Sequence, residues 1–222
     1  PAQAREFSSD LTLLSGGEIA SVGGASREIA NLQINGYLVV HDANGFPLLS
    51  WLTDDPDSDR DEMLAAREDP ADKNLIILQE SQLGPNAPGE TLLFKVDPFP
   101  GTLGYQWRYP ITGLGQNLGM ELDGETGLVA ASATNTFGGT QATLLRYRNA
   151  TGLPVYHFRY LPVDAPAFNM RFFDVAVHQD TGEVFAVGSV SLDAQGFSPE
   201  PELLIARFTP GGAPIWFNAY EL

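Results

Sequence analysis

Cysteine is absent from the 222 residues, which excludes a disulfide framework, a thiolate nucleophile, a zinc-thiolate site and a covalently attached c-type haem. Lysine is almost absent, with Lys73 and Lys95 the only examples. Only 12 basic side chains stand against 28 acidic ones, a formal charge of −16. That is the wrong sign for holding phosphates with clustered Lys and Arg, so no nucleic acid and no anionic lipid is expected as a partner. No apolar run approaches the roughly 20 residues of a spanning helix, so no membrane insertion is expected either. Helical periodicity is missing too. Its one candidate, Asp61–Glu68, reads as a strand once it is aligned with the repeats described below.

What the chain does contain is apolar material and turn residues. Hydrophobic residues make up 43% and charged residues 18%, which suits a packed core and not a disordered acidic chain. The 23 glycines and 16 prolines supply turns for many short strands. The sequence opens without Met, and Ala2-Gln3-Ala4 has the small-x-small pattern of a signal-peptidase site, giving the expectation of a secreted, periplasmic or cell-surface bacterial protein.

Self-similarity organises the rest. Residues 117–135, 173–191 and, less cleanly, 64–82 read strand, turn, strand, and a second hairpin recurs at 37–52, 91–109, 143–160 and 202–220. Aligning the second hairpins superposes Asp42, Asp97, Asn149 and Thr209, which lie 52 to 60 residues apart. Counted from Pro47, Leu103, Pro154 and Pro214, the last strand of each unit alternates at period two. One face is mostly aromatic, with Trp51, Tyr105, Trp107, Tyr156, Phe158 and Trp216 on it. The first unit opens indistinctly, around Leu11–Leu14 and Ile19–Gly24. Units of approximately 11–53, 61–112, 117–162 and 172–222 within a single domain, 1–222, are expected.

Four strands per unit of this length is the pattern of a propeller blade. The expected fold is all-β and β-propeller-like, with four repeats of about four antiparallel strands each; a β-sandwich or part of a larger propeller are the alternatives. The run Phe173-Asp174-Val175-Ala176-Val177, with Asp180–Gly188, Leu204–Phe208 and Gly211–Trp216, resembles the bacterial SBBP-type propeller repeats. Gly124–Ala130 and Leu144–Gly152 match in the third unit. The resemblance implies a fold only and carries no catalytic residue across.

Six of the 28 acids crowd into residues 53–62. Asp55, Asp57, Asp59 and Asp61 alternate as the oxygen ligands of a calcium loop do, so calcium is the one cofactor expected. A solvated acidic linker is the competing reading, because Glu62 stands where an EF-hand turn requires Gly. His41, His157 and His178 fall in three different units without metal-ligand spacing and are expected to be ordinary surface or hydrogen-bonded residues. No nucleophile elbow or phosphate loop is present, and no catalytic residue is assigned. Glu80, Glu121, Asp123 and Asp174 are the strand acids from which a carboxylate pair would have to come. The aromatic face is expected to pack blade on blade, sugar stacking being the alternative.

The leading functional expectation is a non-enzymatic binding module that presents loops at 27–35, 82–90, 135–141 and 191–201 to a protein or glycan. An extracellular polysaccharide hydrolase or lyase using paired carboxylates is the alternative, followed by a structural or assembly module with exposed edges. A homo-oligomer is compatible with each.

Overall fold

The computed structural model describes residues 5–26, 34–53, 60–82, 90–98, 105–111, 116–124, 127–136, 139–160, 169–191 and 201–221. Among them are sixteen strands in four antiparallel sheets and no helix. The first sheet holds β1 (Arg5–Leu13), β2 (Ile19–Ser26), β3 (Asn35–His41) and β4 (Pro47–Leu52). The second holds β5 (Arg60–Glu68), β6 (Leu75–Gln82), β7 (Glu90–Val96) and β8 (Tyr105–Ile111). The third holds β9 (Gln116–Asp123), β10 (Gly127–Thr136), β11 (Gly139–Arg148) and β12 (Pro154–Tyr160). The fourth holds β13 (Asn169–Val177), β14 (Val184–Ser191), β15 (Glu202–Phe208) and β16 (Pro214–Tyr220). Strand order follows chain order in every sheet, the meander of a propeller blade. The fold is all-β and β-propeller-like, with four repeats of four antiparallel strands.

Two bulges recur in each blade. The first strand carries one extra residue, at Ser9, Leu64, Leu118 and Phe173. The fourth strand carries another, at Leu48, Gln106, Val155 and Ile215. These bulges fix the structural alignment. Tyr105, not Leu103, stands where Pro47, Pro154 and Pro214 stand. The two-residue displacement leaves every side chain on its expected face, because the strand period is two. The first unit opens at Arg5, earlier than the Leu11 of the sequence reading. The bulge at Ser9 resets the alternation there and hides the first half of the strand.

The turns between third and fourth strands explain why the hairpins could be aligned. Gly45, Gly152 and Gly212 all have positive φ, 84°, 65° and 80°, a conformation that costs a glycine nothing. Asp42 closes the first of these turns by accepting hydrogen bonds from the backbone N–H of Asn44 at 2.9 Å and of Phe46 at 2.8 Å. In the fourth blade the Thr209 hydroxyl accepts from the Ala213 N–H at 3.0 Å.

The chain forms two compact units, Pro1–Thr112 and Gly113–Leu222, each with two blades and its own core. In the first, the rear face of blade 1 (Ala20, Val22, Leu38 and Val40) packs on the front face of blade 2 (Met63, Leu75, Ile77, Leu92, Phe94 and Val96). In the second, the rear face of blade 3 (Ala142, Leu144 and Tyr160) meets the front face of blade 4 (Phe172, Val175, Val184, Ala186, Leu204, Ala206 and Phe208). Full burial of each large aliphatic or aromatic side chain contributes about 1.5–3 kcal/mol. Polar ties fasten the first strands: Arg67 pairs with Asp10 at 2.5 Å, and the Ser15 hydroxyl donates to Glu68 at 2.8 Å.

Candidate functional site

Asp55, Asp57 and Asp59 lie outside the described residues, as do most of the loops expected at 27–35, 82–90 and 191–201; the fourth expected loop, 135–141, is mostly strand, because β10 runs to Thr136 and β11 starts at Gly139. Asp61, the fourth residue of the expected calcium set, is placed. It sits near the start of β5, almost wholly buried, with its backbone N–H on the Ile34 carbonyl at 2.6 Å. Its Oδ1 accepts from Gln79 Nε2 at 3.2 Å, while Gln79 Oε1 is buried without a hydrogen-bond partner. Among the described residues no three His, Asp or Glu side chains gather as a metal would require.

The neighbouring acids face the other side of the same sheet, because successive residues of a strand alternate. Glu62 on β5 lies directly opposite Glu80 on β6. Glu62 is held by Arg60 at 2.6 Å and by the Ser9 hydroxyl at 3.1 Å. Burial pushes the Glu80 carboxyl above its ordinary range; the Arg60 charge opposes that shift and the Glu62 charge adds to it. A carboxyl group raised above its ordinary range by burial, beside a second, arginine-bound carboxyl group, is a pairing that general acid-base chemistry can use. The other strand acids are occupied otherwise. Asp123 pairs with Arg146, and Asp174 Oδ1 accepts from the Val175 N–H at 2.9 Å beside its bulge.

A second set of charges recurs from blade to blade. Lys95, at the end of β7, is only 2% exposed and reaches the β5–β6 turn, where Nζ meets Asp69 at 2.5 Å and Asp72 at 2.8 Å. At the same position in blade 3, Arg146 pairs with Asp123. In blade 4, Arg207 Nη2 donates to both carboxylate oxygens of Glu183 at 2.8 Å. The Arg207 hydrogen bond holds the Glu183 carboxyl below its ordinary range. In each case a base near the end of the third strand clamps an acid in or beside the first turn of the same sheet. Blade 1 has Val40 there and no such pair. The clamps recur in three blades, with both partners fully buried only in the Lys95–Asp69 pair, and the sequence reading missed them. The signal was the recurrence of a base two or three residues before Asp97, Asn149 and Thr209.

The histidines do not converge. His41 ends β3 and is half-buried, His178 is an exposed turn residue, and His157 is exposed on β12. Partial burial, with the Arg159 charge adding, lowers the His157 pKa. The aromatic face packs in part: Trp51 and Tyr156 lie against a core, whereas Phe158 is exposed and Trp216 half-buried. Trp51 meets Phe94 edge-on at 6.1 Å between ring centroids. Tyr160 lies 6.1 Å from Phe172 and 4.8 Å from Phe208, and its hydroxyl donates to the Gly212 carbonyl. Tyr156 stacks on Phe158 at 5.2 Å, and burial pushes its phenol up to about 12.

No protein-family model matches the chain. No curated protein matches it either. A crystal structure of a DUF4221 family member from Bacteroides vulgatus aligns over 98% of this chain and 85% of that one, at 8% identity and a TM-score of 0.38. A likeness that shallow bears on neither fold nor activity. What stands is the class that the strands define, an all-β, propeller-like protein. Among its described residues no helix is long and apolar enough to cross a membrane.

Proposed function

We propose that this chain is an exported or cell-surface bacterial binding module, similar to SBBP-type repeat proteins, that presents the outer edges and loops of its blades to a protein or glycan. One observation carries the reading. In three blades the fourth-strand bulge sets a branched aliphatic side chain in solvent, Leu48, Val155 and Ile215, and the turn before it exposes Phe46 in blade 1 and Leu153 in blade 3. A single exposed Leu is ordinary, but the same exposed position recurring in blades 1, 3 and 4 is the pattern of an interaction surface. A calcium ion at Asp55, Asp57, Asp59 and Asp61 belongs to this reading, supported by their spacing and by the hard oxygen ligands they offer. Calcium should raise the melting temperature and EDTA should lower it; a melt indifferent to both removes the ion.

A photo-crosslinking residue at Leu48 or Val155, together with a glycan array, tests the binding. The wild-type surface should give a discrete protein adduct or retain a glycan. A variant with Leu48→Ser, Val155→Ser and Ile215→Ser should give neither while melting normally. The second reading, a polysaccharide hydrolase, is favoured by Glu62 facing Glu80, whose carboxyl burial raises above its ordinary range. Release of reducing ends from array polysaccharides, abolished by Glu80→Gln, would overturn the binding module in favour of that enzyme.

A further inference from the structure

The packing between blades 1 and 2 ends in polar side chains. Asp61, Gln79 and Ser81, on the front face of blade 2, are 1%, 3% and 4% exposed, and Thr53, following Leu49 and Trp51 on the rear face of blade 1, is 7% exposed. The fold does not require polar groups there. Strand pairing gives Asp61, Gln79 and Ser81 the counterparts Met170, Gly188 and Val190 in blade 4, and Thr53 the counterpart Tyr160 in blade 3. Met170, Val190 and Tyr160 all belong to the core of the second unit. Where that unit closes its interface with apolar packing, the first unit buries a carboxylate, an amide and two hydroxyls. The Gln79 amide is fixed in direction by its neighbour. Its Nε2 donates to Asp61 Oδ1 at 3.2 Å, and the reverse orientation would set one acceptor against another. Gln79 Oε1 is therefore turned away from that hydrogen bond, and it is buried without a partner. Leaving a buried acceptor unserved is costly.

We infer that Gln79 Oε1 and the Asp61 carboxylate are the inner ligands of a calcium ion at this end of the interface between blades 1 and 2. A hard cation serves an amide oxygen as a donor would, and the groups gathered here are oxygens without imidazole or sulfur, the set that calcium prefers. No trio of acids is needed, because calcium also takes Asn and Gln carbonyl oxygens, backbone carbonyls and water. The inference rests on the calcium reading given above and adds to it a ligand from a different strand, 18 residues beyond Asp61, which the spacing of the acidic segment could not indicate.

The test is calorimetric titration of calcium chloride into the chelator-stripped full chain, together with melting curves in calcium and in EDTA. The wild type should bind the ion and melt higher with it. Gln79→Met, similar in size but without an oxygen, should weaken binding by about tenfold or more and lose most of the rise in melting temperature. Gln79→Glu is the arm that a packing role would not move. It sets a second carboxylate beside Asp61, so the stripped variant should melt below the wild type, and calcium should raise its melting temperature by more than it raises that of the wild type. A wild type indifferent to calcium overturns this inference and the calcium reading together. A wild type that responds, with Gln79→Met responding equally, overturns this inference alone: the ion then sits elsewhere and a water serves Oε1. Loss of the response in both variants overturns it as well and assigns Gln79 to packing. Should Gln79→Met fold poorly, Gln79→Glu decides alone, and a calcium response no larger than that of the wild type overturns the inference.

Discussion

Lys95 shows at the scale of one residue how a chain with two lysines can place one of them in its interior. An unpaired buried ammonium would cost several kcal/mol, and only the Asp69 and Asp72 carboxylates, at 2.5 and 2.8 Å, make the site tolerable. Lys95→Ala should therefore cost about 3–5 kcal/mol, since it strands the buried Asp69, whereas Lys95→Met with Asp69→Leu should recover most of the loss. Urea midpoints of the two variants check this, and equal midpoints would refute it. Glu80 works in the other direction. Burial raises its folded pKa above the unfolded value, so its contribution to stability is fullest below about pH 4 and is lost as pH rises through the raised value. Glu80→Gln should raise the melting temperature near pH 7 and leave it unchanged near pH 3. A gain of equal size at both would mean that packing, not ionisation, is responsible. Glu80 could be named in the sequence as a strand acid, but neither pairing could be read there, because the partners of Lys95 lie 26 and 23 positions away and Glu62 lies 18 from Glu80, with no local motif joining them.

At the scale of the element, the bulges govern both what was legible and what was not. The hairpin turns could be read because a positive-φ glycine and, in blades 1 and 4, a capping Asp or Thr are local requirements that recur visibly. The bulges could not, since an extra residue breaks the period-two pattern from which strands are read. Their trace is steric. A Cβ on Gly23 would overlap the Phe7 carbonyl oxygen, and one on Gly188 would overlap that of Arg171, both opposite the first-strand bulge. Backbone atoms cannot swing aside as the end of a side chain can. Gly188→Ala should destabilise by about 1–3 kcal/mol through forced displacement of β13. Gly211→Ala, in an exposed turn without a close neighbour, should stay within about 0.5 kcal/mol. Equal effects at both sites would argue that the bulge yields freely.

At the scale of the whole molecule, charge and apolar surface oppose each other. A net charge of −16 makes every copy repel every other, while Leu11, Leu13, Val187 and Tyr220 offer apolar area that water disfavours. The repeat pattern made the blades legible. It left hidden which apolar side chains stay exposed, since a face reads the same in sequence whether or not a neighbour covers it. The balance between the two forces sets a sign. Raising ionic strength from about 0.01 M to about 0.15 M shortens the screening length from about 30 Å to about 8 Å. That weakens repulsion between whole copies and leaves apolar burial nearly untouched, so any self-association through exposed apolar side chains should strengthen with sodium chloride. A contact built on complementary charges would weaken over the same range. Sedimentation at the two salt concentrations separates the cases: a mass that falls as salt rises would assign the contact to ion pairs and take it away from the exposed apolar side chains.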